Sequence, residues 1–228
     1  MKKLFTLLLI CAVTATAFAK PKNQYVRIKT AYGFCIVRLY NETPKHRDNF
    51  IKLTKEGFFN GSLFHRVIQD FMIQGGGPAP GSDTAKYKKT MSYKIPAEIR
   101  DSIFHKRGII GAARDNNPEK ASSSSQFYLV AGKRFNDSTL NKTIKERLNG
   151  HPIPESERAY YKSVGGVPHL DQGYTVFGEI VYGQDMVDEI SAVKKDKKDK
   201  PLVDIPMTVE LLSPKECRRL DKILQLPQ

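Results

Sequence analysis

Residues 24–30 alternate apolar and polar side chains, with Tyr25 and Val26 leading into Ile28 between Arg27 and Lys29. The turn signal Ala31-Tyr32-Gly33 separates them from residues 34–40, a run rich in β-branched and aromatic residues. Two such runs across a short glycine-containing turn predict a β-hairpin. Thr43-Pro44 then opens a helix, with threonine as N-cap and proline as first helical residue. Phe50, Leu53 and Thr54 give that helix its buried face, and Gly57 ends it. Short apolar runs predict strands over 62–68, 71–74, 108–113, 126–130, 175–181 and 207–211. A second helix is predicted over 185–191, with Met186, Val187 and Ile190 on one face. Many short strands with two clear core helices indicate a closed β-barrel or a sandwich.

Two stretches break this pattern. Residues 132–163 are polar, charged and compatible with helix, interrupted by Pro152 and Pro154. Within them, Ile153-Pro154-Glu155 reads as a helix start, with acids placed where the dipole favours them. Residues 194–200 form a lysine–aspartate run, most simply a solvated loop. Neither is long enough for a separate domain. The expected organisation is one domain over 20–228, with its core at about 24–212, an insertion at about 132–167 and a polar tail over 213–228.

The beginning of the chain has a different character. Met1-Lys2-Lys3 is a positive start, residues 4–13 are apolar, and Ala17-Phe18-Ala19 is an A-x-A cleavage pattern. Residues 1–19 therefore read as a secretory signal peptide, which predicts a periplasmic or secreted protein. Cys11 would be lost with it. No later run approaches the length of a spanning helix, so no stable membrane insertion is expected. Cys35 lies in a strand-like run and Cys217 in the polar tail, which favours two unrelated thiols, although oxidising conditions leave pairing open.

Composition narrows the class without choosing the function. Of 228 residues, 40% are hydrophobic and 27% charged, which excludes wholesale disorder. With 16 glycines and 3 cysteines the chain is neither collagen-like nor a disulfide scaffold. Lysine and arginine number 37 against 24 acids. The excess favours acidic partners, but it is scattered, so nucleic acid is not expected as a partner. His46, His65, His105, His151 and His169 form no metal-binding spacing, and there is no C-x-x-C, so no metal is expected. Gly75-Gly76-Gly77 is followed by Pro78 where a phosphate-binding helix would start. Ser122 to Ser125 is a polar loop, and no G-x-S-x-G elbow occurs.

What remains is the run from Phe64 to Gly76. Strand periodicity places Phe64, Arg66 and Ile68 on one face, and an arginine on an apolar face needs a reason. Arg66 is either an edge arginine paired with a carboxylate, or it stands above an apolar pocket formed by Phe71 and Met72, braced by Gln74.

The sequence F-H-R-V-I-Q-D-F-M-I-Q-G-G resembles the signature of the cyclophilin-type peptidyl-prolyl cis-trans isomerases. Three further blocks occur in that family's order: 108–113, 125–128 and 169–178. The resemblance covers about 24–212 and implies an eight-stranded antiparallel β-barrel closed on itself and capped by two helices. It implies an enzyme without cofactor that accelerates rotation about X-Pro bonds in unfolded or newly exported polypeptides, acting as a monomer. Arg66 matches the catalytic arginine and Gln74 the residue that orients it. Phe71, Met72, Tyr128 and Leu170 match the proline pocket. Ala113, Arg114 and Gln126 match positions that hold the peptide on the N-terminal side of the proline. His169 stands where many members carry tryptophan, which puts cyclosporin binding in doubt, and Tyr174 stands where many carry histidine. The insertion is expected to form a helical flap beside this site. The competing expectation is a non-catalytic chaperone or scaffold module that uses the same groove.

Overall fold

Strands whose alternate residues face two different apolar layers organise the described residues, 23–82 and 84–225 of a computed structural model. The signal peptide expected over 1–19 lies outside them. The sheet is built from β1 (Gln24–Thr30), β2 (Gly33–Leu39), β3 (Arg66–Ile68), β4 (Met72–Gly75), β6 (Ile109–Ala112), β8 (Phe127–Val130), β9 (Val176–Tyr182) and β10 (Thr208–Leu211). A separate two-stranded ribbon pairs β5 (Lys94–Ile95) with β7 (Ser122–Ser123). The eight strands run antiparallel in the order β10-β1-β2-β9-β6-β8-β4-β3. The sheet curls into a half-barrel. Its edge strands do not pair along their length as a closed barrel would require. They are joined by one isolated bridge, Leu63 to Pro206, flanked by bonds from Gly61 N to Met207 O (2.9 Å) and from Phe64 N to Ile205 O (3.0 Å).

Register explains how one sheet carries both a core and a site. Val67, Ile73, Leu129 and Ile110 lie opposite one another across β3, β4, β8 and β6, and all four are fully buried in the concave core. The neighbouring row is Arg66, Gln74, Tyr128 and Gly111, and period-two geometry turns it to the opposite face. Val67 also shields the outer edge of β3. Its N–H donates to Asp199 O (2.8 Å), and its carbonyl accepts from Lys195 Nζ (3.2 Å).

The two expected helices are α1 (Pro44–Lys55) and α5 (Gln184–Ser191). They place Phe50, Leu53, Met186, Val187 and Ile190 against the concave core. Four further α-helices occur among the described residues: α2 (Thr84–Met91), α3 (Asp137–Arg147), α4 (Glu155–Ser163) and α6 (Pro214–Ile223). The last corrects the polar tail. Ser213 and Glu216 form a capping box, and Cys217, Leu220 and Leu224 pack on Tyr25, Ile36 and Leu212. Cys35 and Cys217 are both buried and unbridged. Cys35 joins the concave core while its neighbour Ile36 faces α6, so the sheet separates the two thiols.

A second correction concerns residues 62–68. Only Arg66–Ile68 pairs as a strand, and Phe64 is buried in the concave core rather than beside Arg66. Its backbone bond to Ile205 turns the chain there out of the β3 alternation.

The insertion folds as anticipated around Pro152 and Pro154, into α3 and α4. Asn136 and Thr139 cap α3 reciprocally, and Leu140, Leu148, Ile153 and Tyr161 make a small core of their own. At its stem, a side chain on Gly166 would come within 2.3 Å of His105 O, so only glycine fits there.

On the sheet, Glu179 of β9 pairs with Arg38 of β2 and with Lys106 Nζ at 2.6 Å. Burial opposes its charge, but Lys106 and Arg38 outweigh it and hold the carboxyl below the usual glutamate range. A lowered folded-state pKa means stability that is present at neutral pH and lost as pH falls below the ordinary carboxylate value towards the folded one. Glu179→Gln is expected to lower the denaturant midpoint at pH 7. The difference from the parent should shrink as acid unfolding curves are taken towards pH 4 and below.

Candidate active site

The outward row and its neighbours enclose a cavity of about 120 Å³. β3 and β4 bring Arg66, Met72 and Gln74, and the turn between them brings Phe71. β8 brings Tyr128, and Ala113 and Arg114 follow β6. The loop before β9 closes the cavity with Leu170 and Tyr174. Nine of the eleven residues singled out from the sequence therefore meet in one place. The other two flank it. Gln126 lines an adjoining cavity of about 350 Å³ that shares Gln74, Ala113 and Arg114, and His169 packs on Phe71 with ring centres 5.2 Å apart.

The Arg66 side chain is 43% exposed, so its guanidinium stands at the mouth of the cavity. Its ion pair is with Asp199, Nε to Oδ2 at 3.6 Å. Arg66 is thus an edge arginine with a carboxylate partner, and it lines the cavity together with Phe71 and Met72. The brace differs from expectation. Gln74 lies opposite Arg66 in the ladder, but its amide donates to Gln126 Oε1 at 3.1 Å. Asp199 was hidden in a run that looked merely solvated, 133 positions away, with no local signal of a partner.

Arg114 forms a rim. Its Nε donates to Gly173 O at 2.8 Å, and its guanidinium lies 4.7 Å from the centre of the Tyr174 ring. Held in this way, the arginine and tyrosine make a rigid plate with a polar edge.

Tyr128 is the most constrained member. Its hydroxyl is 2.8 Å from His105 Nε2, and His105 Nδ1 is 2.8 Å from Asp171 Oδ1, which also accepts from the His105 N–H. Tyr161 of α4 donates to the other Asp171 oxygen at 2.6 Å. With Asp171 accepting at Nδ1, Nε2 is left to accept the Tyr128 O–H. Burial first, then Tyr174 and Asp171, push the Tyr128 phenol far above its ordinary range, so it stays protonated. The ring needs room on β6, where a side chain on Gly111 would come within 2.3 Å of it. His105, Asp171 and Gly111 were not foreseen as site residues. Only the glycine within an apolar strand was a sign.

His169 is the remaining titratable group. Burial lowers its pKa to about 4, aided by the charges of Arg147 and Lys133 and opposed by Asp171. It is therefore neutral at physiological pH.

Comparison with known proteins agrees with this architecture. Residues 25–210 match the family model of the cyclophilin type peptidyl-prolyl cis-trans isomerase. A Staphylococcus saprophyticus protein named as a peptidyl-prolyl cis-trans isomerase is 35% identical over 164 residues, covering 71% of this chain and 77% of its own. A Staphylococcus haemolyticus protein of the same name is 32% identical over 181 residues, covering 79% and 86%. Among solved structures, a Cryptosporidium parvum cyclophilin type isomerase has the same fold, with a TM-score of 0.60 at 23% identity over 84% of this chain and 98% of that one. The same protein was also solved in the presence of the dipeptide Ala-Pro. The half-barrel thus carries a cavity of mixed lining, edged by Arg66 and Arg114 and walled in part by Phe71, Met72, Ala113 and Leu170. The chain belongs to the cyclophilin-type peptidyl-prolyl cis-trans isomerase family.

The buried network gives a test that separates support from substrate contact. Tyr128→Phe keeps the aromatic wall but leaves buried His105 Nε2 without its partner, which costs about 1–3 kcal/mol. The expected outcome is a lower unfolding midpoint in denaturant, with kcat/KM for proline peptides changed by no more than a few-fold.

Proposed function

We propose that the cavity seats a proline ring while Arg66 stabilises the twisted X-Pro bond, and that the protein acts on unfolded or newly exported polypeptides. The observation that carries this reading is one exposed guanidinium at the mouth of a small cavity whose wall includes Phe71, Met72 and Leu170. The barrier to rotation, about 18–20 kcal/mol, comes from amide resonance that keeps the proline nitrogen planar. As the bond twists, resonance is lost and the nitrogen becomes a better acceptor. A donor that meets it then binds the transition state more tightly than either planar isomer. Arg66 is always charged and offers its remaining N–H groups as a planar fork, while Asp199 engages Nε.

Phe71, Met72, Tyr128 and Leu170 hold the ring, so the flanking chain is the part that rotates. Gln74 and Gln126, joined by the hydrogen bond between their side-chain amides, offer polar contacts on the N-terminal side together with Ala113 and Arg114. No covalent intermediate is required. The A-x-A pattern at Ala17 to Ala19 supports export, which would bring the enzyme to polypeptides that have yet to fold. A module that only held peptides would have no use for a cation at the mouth of the cavity.

Arg66→Ala should fold normally, because the side chain fills no core, yet lose about 10²–10³ in kcat/KM. Arg66→Lys should recover little of this, since a point charge does not reproduce the fork. Proline-peptide turnover and thermal stability measured side by side decide it, and a stable mutant with near-parental turnover would refute the mechanism. The family's cyclosporin affinity should be weak here, because His169 offers less apolar area than an indole. Inhibition titrations should show His169→Trp tightening it.

A further inference from the structure

Beyond the proline cavity the insertion encloses a second space of about 360 Å³, between α3 and the β3–β4 turn. Phe71 is common to both cavities, and His169 lies against Phe71 from this side. Two cations look into the space: Lys133 at the stem of the insertion and Arg147 in the last turn of α3. Neither has a carboxylate partner among the described residues, although both α3 and α4 carry ion pairs elsewhere, as between Asp137 and Arg158. Lys133 Nζ lies 6.0 Å from the centre of the Phe135 ring, which also lines the space. Asp70 is the one acid lining it among the described residues. The fields of Arg147 and Lys133 reach its far wall, where both help to keep His169 neutral.

The three cavities adjoin along one path, and the N-terminal contacts proposed above for Gln126 give a bound chain its direction along it. Gln74, Ala113 and Arg114 link the proline cavity to the space lined by Gln126, and Phe71 links it on the other side to the cation-lined space. A peptide that enters past Gln126 and seats its proline beneath Arg66 leaves past Phe71.

We propose that this space is a substrate subsite that selects an aspartate or glutamate in the first few residues after the proline. The proposal rests on the reading of the proline cavity given above and adds the substrate class. Lys133 and Arg147 supply the attraction, and Phe71 and Phe135 give the stem of the acidic side chain an apolar surface. It also gives the insertion a role, because α3 supplies Arg147 and the stem supplies Lys133.

The test uses three proline peptides that are identical except for glutamate, glutamine or lysine two residues after the proline. Both turnover and Kd are measured, at low salt and at 0.5 M salt. Two solvent-exposed charge contacts predict about a fivefold preference in kcat/KM and Kd for glutamate over lysine, largely lost at high salt. Lys133→Ala with Arg147→Ala should abolish the preference and leave the glutamine peptide unaffected, which shows that the fold and the isomerase survive. Lys133→Glu with Arg147→Glu should reverse it. Equal handling of the three peptides by the unaltered protein, or a preference that survives the double alanine change, overturns the proposal. If no peptide is isomerised, the isomerase reading fails on its own, and the Kd series still decides the subsite.

Discussion

A single row of cross-strand neighbours carries this molecule. Val67, Ile73, Leu129 and Ile110 meet inside the curled sheet, and that inward row fixes the register of four strands. A slip by one residue would turn these apolar side chains to solvent and draw Arg66, Gln74 and Tyr128 into the core. The site geometry is thus a by-product of core packing. Arg66 faces the pocket because Val67 must face inward, and Tyr128 stands over β6 because Leu129 and Phe127 are both buried.

The second support lies behind the pocket. From Tyr128 through His105 and Asp171 to Tyr161, four buried or half-buried groups use one another's donors and acceptors, and the last belongs to the insertion. Such chains are costly to leave partly satisfied, which makes the arrangement nearly all-or-none. The insertion therefore bears on the pocket wall, and Phe104 of the main body packs into its apolar cluster.

Much of this was legible in the chain because the signals were local. The hairpin of β1 and β2, helices α1 and α5, and the break in the insertion at Pro152 and Pro154 all followed from short-range patterns. The cavity residues were found because the run from Phe64 to Gly76 and three other blocks are contiguous and resemble a known family. What escaped was long-range or weakly patterned. Asp199 reaches Arg66 across 133 positions, and His105 reaches Asp171 across 66. α2 is lysine-rich, and Tyr87 is its contribution to the concave core. α6 could have been read from Ser213 and Glu216, yet its charge made it look like a tail. Phe64 was assigned to the wrong face because alternation was carried past the true start of β3.

The loop that supplies Asp199 has one more consequence. β3 is an edge strand, and an edge with open backbone groups is a template on which another extended chain can grow. Here both outward groups of Val67 are already occupied, the N–H by Asp199 O and the carbonyl by Lys195. A polypeptide passing through the neighbouring groove therefore finds no ladder to extend. With that edge closed at Val67, the strand is a poor template on which extended chains could assemble.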